Sequence, residues 1–136
     1  MTAAFLGKWK LIHSEKFDEF LKELGVNFVL RKFAQTATPT VNITQDGDKW
    51  KLETVTTLKT TVIEFKMGEE FVEKRMDGND VRSVVNMEGE KMVQKQFADE
   101  EKKLKEVTIT RWVDDAVLMV EAKVSDIVST RKYAKQ

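Results

Sequence analysis

Two arginines sit where alternation along a strand would otherwise place core residues. In the run Ile127-Val128-Ser129-Thr130-Arg131-Lys132-Tyr133, successive side chains point to opposite faces, so Ile127, Ser129, Arg131 and Tyr133 share one side. The run Val107-Thr108-Ile109-Thr110-Arg111-Trp112-Val113 repeats the arrangement, with Val107, Ile109, Arg111 and Val113 on one face. One such arginine alone is best explained by a strand turned the other way, its charge in water. Two of them near the C-terminus, one with a phenol two residues on, move the balance toward an internal anion site. Burying an unpaired charge costs several kcal/mol, so an inward arginine needs a partner. A planar, permanently protonated guanidinium fits a carboxylate. The chemistry on offer is recognition of an acid.

Other chemistries find less support. His13 is the sole histidine and falls where a strand ends, which favours a structural or exposed role. There is no cysteine, so disulfide frameworks and cysteine-based metal or nucleophile chemistry are excluded. Nucleophile-elbow, His-Glu-x-x-His and phosphate-loop motifs are missing, and neither a metal site nor a cofactor is expected. Asp114-Asp115 and Glu69-Glu70 resemble paired carboxylates, but neighbours in a strand point apart and both pairs fall at turns. An enzyme is therefore the least favoured reading. Lys+Arg and Asp+Glu each number 23, so the formal net charge is zero and nucleic acid is not an expected partner. The N-terminal stretch lacks the apolar region of a secretory signal, and no run approaches the roughly 18 apolar residues of a membrane span. The chain reads as soluble and cytoplasmic.

The elements that must position these residues follow from periodicity. One domain over residues 1–136 is expected from length alone. After a first strand from Phe5 to Ile12, with Gly7, Trp9 and Leu11 on one face, the period changes. Phe17, Phe20, Leu21 and Leu24 recur at helical spacing, with Ser14 as N-cap and Gly25 at the end. Asn27 caps a second short helix through about Gln35, with Leu30 and Phe33 apolar and Arg31 and Lys32 polar. The two helices occupy about residues 15–36.

From Thr38 onward turn signals recur roughly every ten residues, among them Asp46-Gly47, Asp77-Gly78-Asn79 and Glu88-Gly89. About ten strands result, and with no later helix to carry a parallel crossover, neighbours pair antiparallel. Closure into an up-and-down barrel removes the edges of such a sheet. Met92, Gln94 and Gln96 alternate with Val93, Lys95 and Phe97, a pattern that suits neither a dry core nor open water. A barrel enclosing a partly hydrated cavity accepts both.

Gly7-Lys8-Trp9-Lys10-Leu11 followed by Phe17-Asp18 and Phe20-Leu21 resembles the N-terminal signature of the intracellular fatty-acid-binding proteins, a family that includes the cellular retinoid carriers. The likeness continues through Leu24-Gly25-Val26, Arg31-Lys32, Pro39-Thr40, Gly68-Glu69-Glu70-Phe71 and Asp77-Gly78, and closes with Thr130-Arg131-Lys132-Tyr133. Lys16 departs from it, and residues 98–105 form a longer segment than usual.

The resemblance implies an all-β fold: a ten-stranded antiparallel up-and-down barrel (a β-clam) with a two-helix lid after the first strand. It implies that Arg131, Tyr133 and Arg111 hold a ligand carboxylate. Relatives that take retinol or retinal carry glutamines there, so an acid is expected. Family portal positions fall on Phe17, Val26, Phe33, Thr56 to Lys59 and Asp77, and cavity-lining positions on Phe20, Pro39 and Met119. Many relatives have Arg two residues after that Asp; this chain has Asn79, which removes the portal ion pair expected there. Lys22, Arg31 and Lys32 are candidates for contact with anionic membranes or for ligand-dependent nuclear shuttling. The implied function is an intracellular, monomeric carrier of a long-chain fatty acid or similar apolar carboxylate, with a retinoic-acid-type binder as the alternative.

Overall fold

A computed structural model describes residues 2–136. After a 3-10 turn at Thr2–Phe5, the chain runs through β1 (Gly7–Glu15), α1 (Phe17–Glu23) and α2 (Phe28–Thr36). Then come β2 (Thr40–Asp46), β3 (Lys49–Val55), β4 (Thr60–Lys66), β5 (Phe71–Lys74) and β6 (Asp80–Glu88). The last strands are β7 (Lys91–Gln96), β8 (Val107–Asp114), β9 (Val117–Val124) and β10 (Ile127–Lys135). The ladder order is β4-β3-β2-β1-β10-β9-β8-β7-β6-β5, every pair antiparallel. From β2 onward the connections between paired successive strands are too short for a parallel crossover, whereas β1 reaches β2 through the two helices.

The expected barrel is therefore present, but its ladder does not close. Among the described residues β4 and β5 share no pairing. The rings of Phe65 on β4 and Phe71 on β5 stack across this seam with centroids 5.6 Å apart. Side chains fill the space where a closed barrel would have hydrogen bonds.

Neither helix follows its expected start and orientation in full. Ser14 stays in β1, opposite Arg131 on β10, so it caps nothing. The chain turns at Lys16, whose φ of 59° ends the strand, and α1 begins without a side-chain cap. Asp18 and Glu19 in its first turn favour the helix dipole instead. Its far end is as expected: Gly25 adopts φ +88°, and the N–H groups of Gly25 and Val26 close on the carbonyls of Lys22 and Leu21 at 3.0 Å each. Asn27 does cap α2, accepting from the Leu30 N–H at 3.0 Å.

The interior has two apolar clusters. One joins Phe5, Trp9, Val41, Ile43, Trp50, Leu52, Phe65, Val85, Met92, Leu118 and Tyr133. The other sets Phe20, Leu21 and Val26 of the lid on Val107, Ala122 and Val124. Fully burying one such large apolar side chain contributes about 1.5–3 kcal/mol, so Leu21, at 0% exposed, anchors α1 strongly. Helix α2 has no buried residue. Leu30 and Phe33 lie in solvent while Arg31 reaches inward, donating from Nε to Asp18 Oδ1 (3.0 Å) and from Nη1 to the Val26 carbonyl (2.9 Å).

The longer segment at 98–105 is ordered by an isolated bridge, Asp99 to Leu104, with Leu104 buried. It ties the lid to the barrel. Lys105 Nζ donates to Glu23 Oε2 of α1, which also accepts from Ser125 Oγ at 3.1 Å. Those two hydrogen bonds, and then the Lys105 charge, hold the Glu23 carboxyl below its ordinary pKa.

Candidate functional site

Register settles the direction of the two arginines. On β8, Val107, Ile109, Arg111 and Val113 face Val124, Ala122, Val120 and Leu118 of β9, and the same β9 residues face Ile127, Ser129, Arg131 and Tyr133 of β10. Leu118, Ala122 and Val124 are buried, so this is the inner face. Arg111 and Arg131 flank Val120 in one cross-strand row, two strand spacings or roughly 10 Å apart. The reading with either arginine in water is excluded. Along β8 and β10 they fall between residues of the lid cluster and residues of the other cluster, in a polar layer extended toward the lid by Gln94 and Ser129, one inward position on, and by Gln96 and Ser83, two positions on, all buried.

The two guanidiniums have different surroundings. Arg111 Nη1 donates to Gln94 Oε1 at 2.7 Å, and Gln94 Nε2 donates in turn to Glu73 Oε2 on β5. Burial lowers the Arg111 pKa, with Glu73 and then Tyr133 acting in the opposite sense. Arg131 lies over the Phe17 ring, 3.9 Å from its centroid, and 5.9 Å from that of Tyr133. Its Nε is buried and has no hydrogen-bond partner among the described residues, as have Ser83 Oγ, Gln96 Oε1 and Ser129 Oγ. Burial lowers its pKa too, opposed by Tyr133. Both remain cations near neutrality, because an arginine starts so far above it. A buried donor left unmade costs about 1–3 kcal/mol, so this layer favours any molecule that brings acceptors to Arg131.

The remaining expected residues divide. Phe17 touches Arg131 and stacks on Phe20 at 6.1 Å. Phe20 and Val26 are buried in the lid cluster. Phe33 is 49% exposed, and Lys59 lies in the exposed turn where its carbonyl accepts from Thr56 N–H and Oγ1. Pro39 is buried beside β1, its carbonyl accepting from the Leu11 N–H at 3.1 Å. Met119 is not in the interior: it pairs with Trp112 and Lys132 on the outer face, opposite to Val120. Of the three basic lid residues, Lys22 and Lys32 are exposed, whereas Arg31 is committed to Asp18.

Asp77 does form an ion pair, but with a residue that the sequence reading passed over. Arg75 Nε and Nη2 donate to Asp77 Oδ2 at 3.0 and 2.8 Å, and Arg75 Nη1 reaches the Lys105 carbonyl at 2.8 Å. Asn79 contributes its backbone N–H to Asp77 Oδ1 at 3.1 Å. Glu73 was also passed over. The signal for both was the inward alternation Phe71, Glu73, Arg75, which runs from the four-residue β5 into the residue that follows it. His13 is on the surface, 2.8 Å from Glu15 Oε1. No group of three or more His, Cys, Asp or Glu able to hold a metal occurs among the described residues.

Residues 6–136 match the model of the lipocalin / cytosolic fatty-acid binding protein family. The chain is 41% identical to fatty acid-binding protein homolog 6 of Caenorhabditis elegans, over all of both chains. Its fold superposes on the apo structure of C. elegans lipid binding protein 8 with a TM-score of 0.95 at 32% identity, covering 100% of this chain and 98% of the other. It superposes on a Schistosoma mansoni fatty acid binding protein in complex with arachidonic acid with a TM-score of 0.91 at 38% identity, covering 98% and 97%. With the family match spanning nearly the whole chain and the barrel, lid and inner arginines in place, this protein belongs to the lipocalin / cytosolic fatty-acid binding protein family.

Proposed function

We propose that this protein is a cytoplasmic carrier that takes up a long-chain fatty acid, or a similar apolar carboxylate, inside the barrel and delivers it elsewhere in the cell. The observation that carries this reading is Arg131, inward, buried at Nε and without a hydrogen-bond partner among the described residues. A carboxylate completes it: Arg131 and Tyr133 bind the head directly, and Arg111 assists from across Val120. The tail lies among the apolar side chains on either side of the polar layer, where each buried methylene contributes about 0.8 kcal/mol. The tail thus supplies most of the affinity, and the arginines set orientation and select acid over alcohol. The relative solved with arachidonic acid supports this ligand class. Titration of delipidated protein with oleic and retinoic acids tests it: submicromolar binding of oleic acid is expected, and saturation by neither acid would refute the carrier reading.

The lid is the route of exchange in this reading. Phe33 stands half-exposed on α2, so Phe33→Ala should change ligand uptake and release rates several-fold while the equilibrium constant moves less than twofold. Stopped-flow mixing compared with equilibrium titration checks this; equal change in both would place Phe33 against the bound ligand.

Delivery to anionic membranes is favoured by the lid surface. Phe28, Val29, Leu30 and Phe33 of α2 and Leu58 of the β3–β4 turn are 45–64% exposed. Lys32 lies over the Phe28 ring and Lys22 is exposed in the last turn of α1, each worth about 1 kcal/mol near an anionic surface. Lys22→Ala/Lys32→Ala should slow transfer to phosphatidylserine vesicles about tenfold. A rate indifferent to vesicle charge would refute membrane docking.

A further inference from the structure

The polar layer carries a charge that can be counted. Inward positions on β1 to β4, such as Trp9, Leu11, Val41, Ile43, Trp50, Leu52, Ile63 and Phe65, bear none. Those of β6 and β7, Val81, Ser83, Val85, Met92, Gln94 and Gln96, are neutral as well. From β9 come Leu118, Val120, Ala122 and Val124, and α1 presents Phe20 and Leu21. Arg75 and Asp77 neutralise each other at the rim, both side chains 4% exposed. Lys135 shares the inner face of β10 opposite Trp9 but is exposed at the end of the strand; of the enclosed charges among the described residues there remain Arg111, Arg131 and the Glu73 carboxylate, with the Tyr133 phenol beside them. Glu73 is linked to Arg111 through one oriented amide, Gln94, whose Oε1 faces the guanidinium and whose Nε2 faces the carboxylate. Arg131 has aromatic rings and no carboxylate. Two cations and one anion leave a single positive charge, and it is at Arg131.

The geometry points to Glu73 as the residue that sets head-group charge: by balancing Arg111 through Gln94 it restricts the barrel to ligands whose head carries one negative charge. This rests on the carrier reading above. A dianionic head would bring a second negative charge into a weakly screened interior that already holds Glu73, and like charges there repel strongly. Glu73→Gln keeps the shape and a hydrogen-bond acceptor for Gln94 while removing that charge. Arg111 then becomes available to a second anionic charge.

The probes are palmitate, a monoanion, and hexadecyl phosphate, whose head is largely dianionic at pH 8 since a phosphate monoester loses its second proton near pH 6. The wild-type protein should prefer palmitate at pH 8 by at least about thirtyfold. Glu73→Gln should move that ratio at least about tenfold toward the phosphate, and Glu73→Gln/Arg111→Gln, which restores a single positive charge, should move it back. A ratio constant within twofold across the three proteins overturns the assignment. If the single variant does not fold, the wild type suffices: hexadecyl phosphate should bind about tenfold tighter at pH 5 than at pH 8, palmitate changing much less. Equal affinity of the phosphate at both pH values overturns the assignment too. Palmitate that saturates while the ratios stay fixed removes only the role of Glu73; palmitate that does not bind removes the carrier reading with it.

Discussion

Arg131→Gln should weaken fatty-acid binding by one to two powers of ten and leave the matching fatty alcohol nearly untouched. A charge-assisted hydrogen bond contributes about 1.5–3 kcal/mol net of desolvation, which is about one to two powers of ten in affinity. The alcohol has no charge for Arg131 to read, and most of its affinity comes from the tail. In the ligand-free protein two effects oppose each other. The substitution removes a buried cation that lacks a partner, which stabilises. It also removes the guanidinium from the Phe17 ring, 3.9 Å away, and with it a contact between α1 and β10. Their near cancellation predicts a melting temperature close to that of the wild type. Parallel titrations with palmitic acid and hexadecanol decide the matter: equal losses for both would mean that Arg131 supports the barrel and does not read the acid.

Arg75→Met should cost about 3 kcal/mol of stability, a lower urea midpoint with an unchanged slope. Removing one partner of a buried pair strands the other charge, at about 3–5 kcal/mol. The low end applies because Asp77 keeps the Asn79 N–H. Arg75 also donates to the Lys105 carbonyl, so the same change loosens the 98–105 segment from the β5–β6 turn. The double variant Arg75→Met/Asp77→Asn should recover most of the loss, since no buried charge remains. The pH dependence has a definite sign. Burial alone would raise the Asp77 pKa, but hydrogen bonds from Arg75 and Asn79 and the Arg75 charge outweigh it and hold the value below the ordinary one. A carboxyl depressed in the folded state stabilises above its unfolded pKa of about 3.9, and that contribution disappears as pH falls through the lower folded value. In Arg75→Met that acid-side contribution vanishes, so the two proteins should converge in stability at low pH. A constant gap down to pH 2 would show that the loss comes from packing and not from the ion pair.

The inward direction of Arg111, Arg131 and Tyr133 was legible because a two-residue period is local: they share faces with Val107, Ile109 and Ile127, whichever strands lie beside them. The same rule puts Met119 on the outer face, against the cavity-lining position that the resemblance implied for it. Val117 to Val120 are apolar on both faces, and only Glu121 and Lys123, which share the face of Met119, mark that side as outer. Glu73 and Arg75 were hidden for a different reason. In a strand of only four residues the alternation is too short to tell an inward charge from a solvated one, and Gln94, which gives Glu73 its meaning, lies 21 positions away. The lid was half legible. Gly25 and Asn27 act through their own backbone neighbours, whereas the exposure of Leu30 and Phe33 follows from Arg31 taking the inward place to meet Asp18, a long-range contact that helical periodicity cannot register.

The seam between β4 and β5 makes the girth of this barrel adjustable. In a closed ladder, any increase in circumference must break a row of backbone hydrogen bonds, each costly to leave unmade. Here no such row spans β4 and β5. Across this line the Phe65 and Phe71 rings stack, and an aromatic pair contributes only about 0.5–1.5 kcal/mol beyond its area. The wall can therefore dilate on one side, like a split ring, at a cost set by two rings and the water they exclude, while the remaining nine ladders and the row that carries Arg111 and Arg131 stay in register. In the carrier proposed above, the stiff half holds the head group and the compliant half takes the bulk of the chain behind it.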